Sequence, residues 1–250
     1  MTAASGAGTL AAGVPDRDIE IEQLGETAVL VRFGDAVDAT LASRAQRFAR
    51  FAREARIAAV LDVVPAFASV ALYFDLDRLR PDEAPEQVVE ATLAGFLGAG
   101  AARSAWPGRL LVLPVAYGGA CGPDLDAFAQ RVGLAARDVI DRHVAPEYRV
   151  GMIGFLPGFP YLIGLDPKLE LPRHATPRPR VPAGSVAIGG AQTGIYPCAS
   201  PGGWHLLGRC AARLFDPQRA EPALLRAGDR VRFRPVAERE LERARVEVTS

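Results

Sequence analysis

The chain contains three histidines, His143, His174 and His205, whose ordinary pKa values lie close to neutral pH. A side chain of this kind can take up or release a proton during a reaction, so His143 and His205 are our candidate catalytic proton carriers. A purely structural role is the alternative for each of them. No serine or cysteine stands in a recognisable order with a histidine and a carboxylate. The wide spacing of the histidines predicts no metal site.

The stretch VPAGSVAIGGAQTG, residues 181–194, has the composition of a segment that can hold an oxyanion or a planar amide. Gln192 and Thr193 would contribute side-chain donors to catalysis, and the glycines would expose backbone amides. Its binding candidates are Pro182, Gly184, Ser185, Gly189 and Gly190. The phosphate-binding pattern GxxxxGK[ST] is absent, and Lys168 stands in Asp-Pro-Lys.

Aromatic residues alternate with glycine and proline in GFLPGFPYL, residues 154–162, where two prolines exclude a helix interior. The rings can form the wall of a pocket for a flat small molecule, or a groove for an apolar or proline-rich peptide. The structural alternative is a plug at one end of a barrel. The candidates for binding here and nearby are Phe155, Pro157, Gly158, Phe159, Tyr161, Tyr196 and Trp204.

Arginines provide the candidate anion contacts. Arg178 and Arg180 lie in the proline-spaced run PRHATPRPRVP, and Arg209 ends the segment SPGGWHLLGR. A guanidinium group can bind a carboxylate or a phosphate through two parallel hydrogen bonds. A solvated basic loop is the alternative.

Hydrophobic periodicity predicts the elements that position these groups. In the first hundred residues, alternation predicts a β-hairpin over 18–33 and strands over 57–64 and 69–74. Helical spacing predicts helices over 40–56 and 81–97. This order indicates a small α/β domain, an antiparallel sheet with two helices on one face.

The second part of the chain reads mainly as short strands. A strand over 109–116 and two helices over 124–132 and 135–143 precede a strand over 148–155. Further strands are predicted over 185–188, 194–196, 204–208, 211–215 and 230–234. Many short strands with turns between them favour a β-barrel or sandwich, so the fold class is α+β.

Composition divides the chain into two domains. Residues 1–16 read as a disordered tail, 17–100 as the α/β domain, 107–236 as the β-domain and 237–250 as a C-terminal tail. The segment GAARSAWPG, residues 100–108, marks the boundary.

The overall charge and the cysteines narrow the class of protein. The 250 residues carry zero net charge at pH 7, which suggests neither nucleic acid nor an anionic membrane as a partner. No apolar run reaches membrane-spanning length, and the composition of the first sixteen residues predicts a tail rather than a signal peptide. Three scattered cysteines, Cys121, Cys198 and Cys210, indicate a reduced cytoplasmic protein.

Three segments together resemble the family of 5-oxoprolinase B subunits, formerly called allophanate hydrolase subunit 1. They are GFLPGFPYL, ATPRPRVPAGSVAIGGAQTGIYP and SPGGWHLLGR. APEYRV before them and LLRAGDRVRF after them are also similar, so the resemblance extends from about Ile19 to Val236. One departure is His205, which stands where the family pattern usually has glutamine.

The resemblance implies a cyclophilin-like β-barrel at the C-terminus and two partner proteins, the C subunit of 5-oxoprolinase, itself cyclophilin-like, and the A subunit. Such a complex would open the lactam of 5-oxoproline to L-glutamate with hydrolysis of ATP, with Mg²⁺ and the nucleotide held partly by a partner protein. For this chain the resemblance implies positioning and charge stabilisation by the candidates named above.

Two alternative functions would use the same candidate residues. The family includes the sporulation-kinase inhibitor KipI, so a module that binds a sensor histidine kinase through the aromatic wall is one alternative. The other is a protein that acts, within a complex, on urea derivatives such as allophanate.

Overall fold

The computed structural model describes residues 19–99 and 108–249. The predicted tail over residues 1–16 and almost all of the predicted boundary over 100–108 lie outside the described residues. Each of the two described parts contains its own main sheet.

The first part contains a four-stranded antiparallel sheet. Its strands are β1 (Glu20–Gln23), β2 (Ala28–Arg32), β3 (Val60–Ala66) and β4 (Ser69–Phe74), in the spatial order β1-β2-β4-β3. Val29 and Val31 of β2 are fully buried, as the predicted alternation requires. The predicted hairpin and strand pair are therefore confirmed.

Helix α1 (Ala39–Glu54) packs on this sheet through an apolar face. The carboxylate of Asp38 caps its first turn by accepting hydrogen bonds from the amides of Thr40 at 2.7 Å and Leu41 at 3.0 Å. Its buried residues recur at helical spacing: Leu41, Ala42, Ala45, Phe48, Ala49 and Ala52.

Helix α2 (Pro85–Gly98) begins four residues later than the sequence indicated. Proline is favoured in the first turn because it has no amide hydrogen to leave unsatisfied. The Gln87 side chain accepts the Ala84 amide at 3.0 Å, while residues 80–83 form a turn closed by the hydrogen bond from Glu83 N to Arg80 O. The earlier proline, Pro81, therefore lies in this turn and does not start the helix.

The second part is built on a closed barrel of seven strands. Its strands follow one another around the barrel as β12-β9-β10-β7-β6-β13-β5, and pairing of β12 with β5 closes the ring. The barrel strands are β5 (Leu110–Tyr117), β6 (Tyr148–Ile153), β7 (Pro160–Ile163), β9 (Ser185–Gly189), β10 (Gln192–Ile195), β12 (His205–Arg209) and β13 (Arg230–Pro235).

Two helices and a separate two-stranded sheet accompany the barrel. Helices α3 (Leu125–Val132) and α4 (Ala136–Val144) match the predicted pair. Strands β8 (Arg178–Val181) and β11 (Ser200–Gly202) form a separate two-stranded sheet. Neither strand was predicted, because the prolines in both segments masked their extended conformation.

The structure differs from the sequence interpretation at two places near the C-terminus. Residues 211–215 were predicted to form a strand, but they make a single isolated β-bridge, between Phe215 and Ala223. The segment is held by the burial of the Leu214 side chain. Residues 237–250 were interpreted as a tail, yet β14 (Glu247–Thr249) pairs with β5 and Leu241 is buried. One edge of β5 has backbone groups that can pair with a further strand. The sequence near residues 247–249 gives no sign of this distant partner.

The loop between β3 and β4 contacts the barrel. Phe67, whose φ is +49°, donates its amide to Gly151 O at 3.3 Å, and its ring meets the Tyr161 ring edge-on with centroids 5.8 Å apart. Gln46 of α1 donates to Val150 O at 3.0 Å. The first part therefore supports the strand that carries Tyr161.

The α+β class predicted from sequence is confirmed, with a small antiparallel sheet and two helices followed by a barrel. Among residues 19–99 and 108–249, no helix combines the length and apolar character needed to cross a bilayer.

Candidate functional site

An aromatic cavity lies beside the two-stranded sheet and has a volume of about 290 Å³. Five of the aromatic residues selected from the sequence contribute to its wall: Phe155, Phe159, Tyr161, Tyr196 and Trp204. Phe159 is the centre of the group, because its ring lies 4.9–5.6 Å from those of the other four. Three of these contacts are edge-to-face and the contact with Tyr161 is tilted, so the rings hold one another in place as one wall.

Glycines allow these rings to lie directly against the backbone. A Cβ at Gly189 would lie 2.6 Å from the Trp204 indole, and a Cβ at Gly202 would collide with the Tyr196 ring. A Cβ atom essentially never lies within 3.0 Å of another non-bonded heavy atom, so only glycine fits at these two positions. The glycines selected here as exposed amide donors therefore have a second purpose, which is to make room for aromatic side chains.

The polar part of the cavity comes from a segment next to β8. Arg173 and His174 line it, and the Arg173 guanidinium carbon lies 5.6 Å from the centre of the Trp204 ring. Burial raises the pKa values of the Tyr161 and Tyr196 hydroxyls, so both stay protonated at neutral pH. The cavity therefore combines flat apolar walls with a permanent positive charge.

Next to the cavity, Asp124 and Arg178 form an ion pair that is largely withdrawn from water. The second oxygen of the Asp124 carboxylate accepts the Leu206 amide at 2.7 Å. Asp124 was selected from sequence only as the start of α3, but its side chain does not cap that helix. It joins α3, β8 and β12 instead. Arg178, selected as an anion contact, thus has a carboxylate of the same chain as its partner.

His174 and His205 meet beside this ion pair. Their ring centroids are 4.0 Å apart, and His174 Nε2 lies 3.7 Å from Asp124 Oδ2. His205 is almost fully buried, its Nε2 is 2.9 Å from Pro172 O, and burial lowers its pKa. Sequence spacing gave no sign of this cluster, since its members are separated by at least 31 positions.

His143 lies inside the barrel and has no exposure to solvent. Thr193 donates its hydroxyl to Ala187 O at 2.9 Å, so its oxygen accepts from His143 Nε2 at 2.9 Å. His143 Nδ1 then accepts the Tyr117 hydroxyl at 2.8 Å. Burial lowers the pKa of His143 to about 3, which keeps this neutral tautomer at physiological pH.

Several of the remaining backbone candidates already have partners within the barrel. The Gly190 amide donates to Leu171 O at 2.9 Å, and the Gly184 amide donates to Tyr196 O at 2.7 Å. Ser185 is buried at the start of β9, whereas Gln192 is half-buried at the hairpin that joins β9 to β10. Of the polar candidates in this segment, Gln192 is the one that the fold leaves partly open to solvent.

The other selected residues lie apart from the cavity wall. Arg180 is exposed on β8, and Arg209 is exposed and ion-paired with Glu242 at 3.2 Å. Pro182 is also exposed. Pro157 and Gly158 form the loop before β7, where Gly158 lies against the backbone of Leu214 and the Phe215 side chain. The residues selected from the sequence therefore divide between the cavity, the barrel interior and the surface.

Comparison with known proteins identifies relatives over most of the chain. Residues 19–225 match the family described as carboxyltransferase domain, subdomain C and D. The B subunit of 5-oxoprolinase from Bacillus subtilis is 38% identical over 230 residues, which cover 88% of this chain and 94% of that protein. The B subunit of 5-oxoprolinase from Escherichia coli O157:H7 is 55% identical over 130 residues, 52% of this chain and 60% of that protein.

Solved structures support the same fold. The crystal structure of TTHA0988 is 40% identical with a TM-score of 0.71, and the match covers 84% of this chain but only 40% of that longer chain. The Kluyveromyces lactis urea amidolyase has a TM-score of 0.70 at 21% identity, with 92% of this chain and 16% of that chain covered, and so shares the fold. The chain belongs to the carboxyltransferase-domain subdomain C and D family, and within it to the family of 5-oxoprolinase B subunits.

Proposed function

We propose that this chain is one component of an ATP-dependent complex that opens the lactam ring of 5-oxoproline to L-glutamate. The observation that carries the proposal is the 38% identity to a 5-oxoprolinase B subunit over 94% of that protein's length. The residues of the aromatic cavity lie within this similarity. Its volume of about 290 Å³ suits a small ligand.

The chemistry of the cavity supports a flat, anionic amide as its ligand. The face of a five-membered lactam can stack on the indole and phenol rings, which exclude water from it. Its carboxylate can pair with the guanidinium of Arg173, since that group lies at the Trp204 ring on the cavity wall. The remaining ring atoms would then face the apolar walls.

The contribution of this chain is positioning and charge stabilisation. A lactam carbonyl is a poor electrophile because of amide resonance, and transfer of a phosphoryl group from ATP to its oxygen would activate the carbon towards water. Departure of the ring nitrogen as the amine would then open the ring to an acyl phosphate, and a second water would hydrolyse this to L-glutamate and phosphate. Holding reactants in the correct orientation can supply up to about 7–11 kcal/mol. One well-placed oxyanion donor can supply roughly 2.7–4 kcal/mol. Among the polar candidates of the β9–β10 segment, Gln192 is the one whose side chain is only half-buried, so we assign this role to it.

Partner proteins complete the proposal. The residues for ATP and Mg²⁺ would come partly from the A and C subunits of 5-oxoprolinase, since the chain has no GxxxxGK[ST] pattern. The relatives are named as one subunit of an enzyme, which supports an assembly of several chains. Because the three cysteines of the chain are all free thiols, we expect the complex in the cytoplasm.

A binding role is the second candidate, and the position of Phe155 favours it. Phe155 is 61% exposed, has a φ of +67° and stands at the edge of the aromatic cavity. A large apolar side chain held in this way can contact an apolar surface of a protein such as a sensor histidine kinase. A role on urea derivatives is a further candidate, because the Lachancea kluyveri urea amidolyase is 32% identical over 129 residues, 48% of this chain and 7% of that protein.

The test is co-expression with candidate A and C subunits, followed by an assay of oxoproline-stimulated ATP hydrolysis. We expect a complex whose turnover is abolished by the double change Arg173→Ala and Gln192→Ala, because these two residues are assigned to the substrate carboxylate and to the developing oxyanion. The matched control is Arg137→Ala, since Arg137 is exposed on α4 and pairs with Asp141, one turn along the same helix. Retained turnover in the double variant would overturn the assignment of these two residues.

Two other outcomes would change the proposed function itself. Failure to co-purify with either partner protein would favour the binding role, and Phe155→Ala should then weaken capture of an isolated histidine-kinase domain. Activity on allophanate or urea without activity on oxoproline would favour the urea-derivative role.

A further inference from the structure

Three potential metal ligands meet beside the aromatic cavity. Asp124, His174 and His205 each offer one ligand atom, and these atoms lie within 4.8 Å of one another. We propose that they bind a divalent transition metal, with Zn²⁺ as the ion that suits them best. This inference does not depend on the proposed function, because it concerns binding by the chain alone.

The set of donors selects the class of ion. Two imidazole nitrogens and one carboxylate oxygen form a common ligand set for Zn²⁺ and its neighbours in the first transition series. Mg²⁺ and Ca²⁺ prefer oxygen ligands, so they fit this cluster poorly. Bonds of about 2.0–2.1 Å in a tetrahedral arrangement place ligand atoms roughly 3.3 Å apart. The pair His174 Nε2 and Asp124 Oδ2, at 3.7 Å, is close to that spacing.

The groups around the cluster hold two of the ligands in place. His205 Nε2 is 2.9 Å from Pro172 O, so its N–H donates to that carbonyl and leaves the lone pair on Nδ1. Asp124 accepts from Arg178 through one oxygen and from the Leu206 amide, at 2.7 Å, through the other. Hydrogen bonds of this kind orient the ligands in metal sites. A carboxylate has about four acceptor positions, so these two bonds leave room for an ion.

An unsatisfied atom points to a missing partner. His174 Nε2 is buried and has no hydrogen-bond partner among the described residues, although polar atoms removed from water are nearly always bonded. The His174 side chain as a whole is 29% exposed, so its ring can turn to shorten the distances to the other two ligands. A metal ion between His174 and Asp124 would satisfy this nitrogen.

The charge of Arg178 opposes a cation at this position and sets a limit on the affinity. We therefore expect exchangeable binding of one ion, weaker than in a structural zinc site. Because His174 lines the aromatic cavity, the ion would lie at its edge.

The experiment is a calorimetric titration of Zn²⁺ into the tag-free full chain after removal of metals with a chelator. Co²⁺ is added in a parallel sample, because its visible absorption reports the coordination geometry. We expect one equivalent of Zn²⁺ to bind and a Co²⁺ spectrum typical of four-coordinate nitrogen and oxygen ligands. Removing one ligand in His205→Gln or His174→Gln should weaken binding by about tenfold or more.

The matched control is Cys198→Ser, since Cys198 is the exposed thiol and could bind Zn²⁺ by itself. This variant should bind like the unmodified chain. The melting temperature of each variant without metal shows whether it is folded. Binding that is unchanged in both histidine variants, or lost only in Cys198→Ser, would overturn the proposal. Absence of binding to the folded, unmodified chain would do so as well.

Discussion

The side chains of Asp124 and Arg178 are ion-paired although 54 positions separate them in the chain. The pair joins the start of α3 to β8, and the Asp124 carboxylate also accepts the Leu206 amide of β12. It thereby fixes the two-stranded sheet and the segment before it, which carries Arg173 and His174, against the barrel. The geometry of the polar side of the cavity depends on this contact.

Asp124→Asn should lower the free energy of unfolding by about 2–3 kcal/mol. Breaking a buried pair costs about 3–5 kcal/mol because it leaves a charge without a partner, and the 33% exposure of the Arg178 side chain reduces that cost. Urea denaturation of the full chain measures the change. Asp141→Asn is the control, since its pair with Arg137 is exposed and should contribute less than about 0.5 kcal/mol. Equal effects of the two substitutions would contradict the prediction.

Arg173→Gln should raise the KM of the reconstituted complex for oxoproline by about 10- to 150-fold and leave kcat nearly unchanged. A hydrogen bond to a charged group is worth about 1.5–3 kcal/mol, and we assign Arg173 to the substrate carboxylate. Steady-state kinetics measure both constants, and Arg137→Gln is the control on the exposed face of α4. An unchanged KM would remove Arg173 from the binding site.

Gly189→Ala should destabilise the fold by about 1–3 kcal/mol and displace the Trp204 ring. The new methyl group would lie 2.6 Å from the indole, which cannot move away without leaving its aromatic neighbours. Thermal unfolding and tryptophan fluorescence report the two effects. Gly98→Ala is the control, because the added methyl group there meets nothing within 4 Å beyond its own helix backbone and chain neighbours. Equal stability and equal fluorescence of the two variants would mean that the Trp204 ring can move, and so that the aromatic wall is not rigid.

Phe67→Ala should lower stability by about 2 kcal/mol and reduce oxoproline turnover, although Phe67 does not line the cavity. The substitution removes the edge-on contact with Tyr161, which the loop between β3 and β4 makes with the barrel. Phe67→Leu keeps most of the apolar volume and should have an effect of less than half that size. Denaturation and turnover are measured on the same samples. Full turnover in the alanine variant would mean that Phe67 is not needed to hold Tyr161 in its active position.

Stability should fall as the pH is lowered from about 6.5 towards 3 because of His143. In the folded chain burial lowers the pKa of His143 to about 3, whereas the unfolded chain has a value of about 6.5. Between these values only the unfolded state binds the proton, so acid favours unfolding, with a limiting slope of about 1.4 kcal/mol per pH unit. Above pH 6.5 this effect is absent.

Urea denaturation from pH 7.5 to 4.5 tests the His143 prediction. The comparison is His143→Gln, which is expected to be less stable at pH 7.5 but to show a smaller slope. Most carboxylates of the chain titrate below this range and contribute equally to both proteins. Equal slopes would mean that His143 is not the group responsible.

Local sequence determined most of the elements and the family. Alternation and helical spacing depend on which side of a strand or helix is buried, so β1 to β4, α1, α3 and α4 could be predicted from neighbouring residues. The aromatic residues next to glycine and proline in residues 154–162 left open a cavity wall or a plug at one end of a barrel, and the tertiary structure places them on a cavity wall. Rings that pack on the backbone need glycine close to them, either in sequence or across a strand.

Tertiary structure alone decided which distant groups meet. Closure of the barrel through β12 and β5 places Asp124, His174 and His205 together and puts His143 inside, whereas the sequence made His143 and His205 equivalent candidates. Pairing of β14 with β5 was likewise invisible in the local pattern. The physical reason is that contacts between residues far apart in the chain depend on strand order and register, and a sequence read in short windows contains neither.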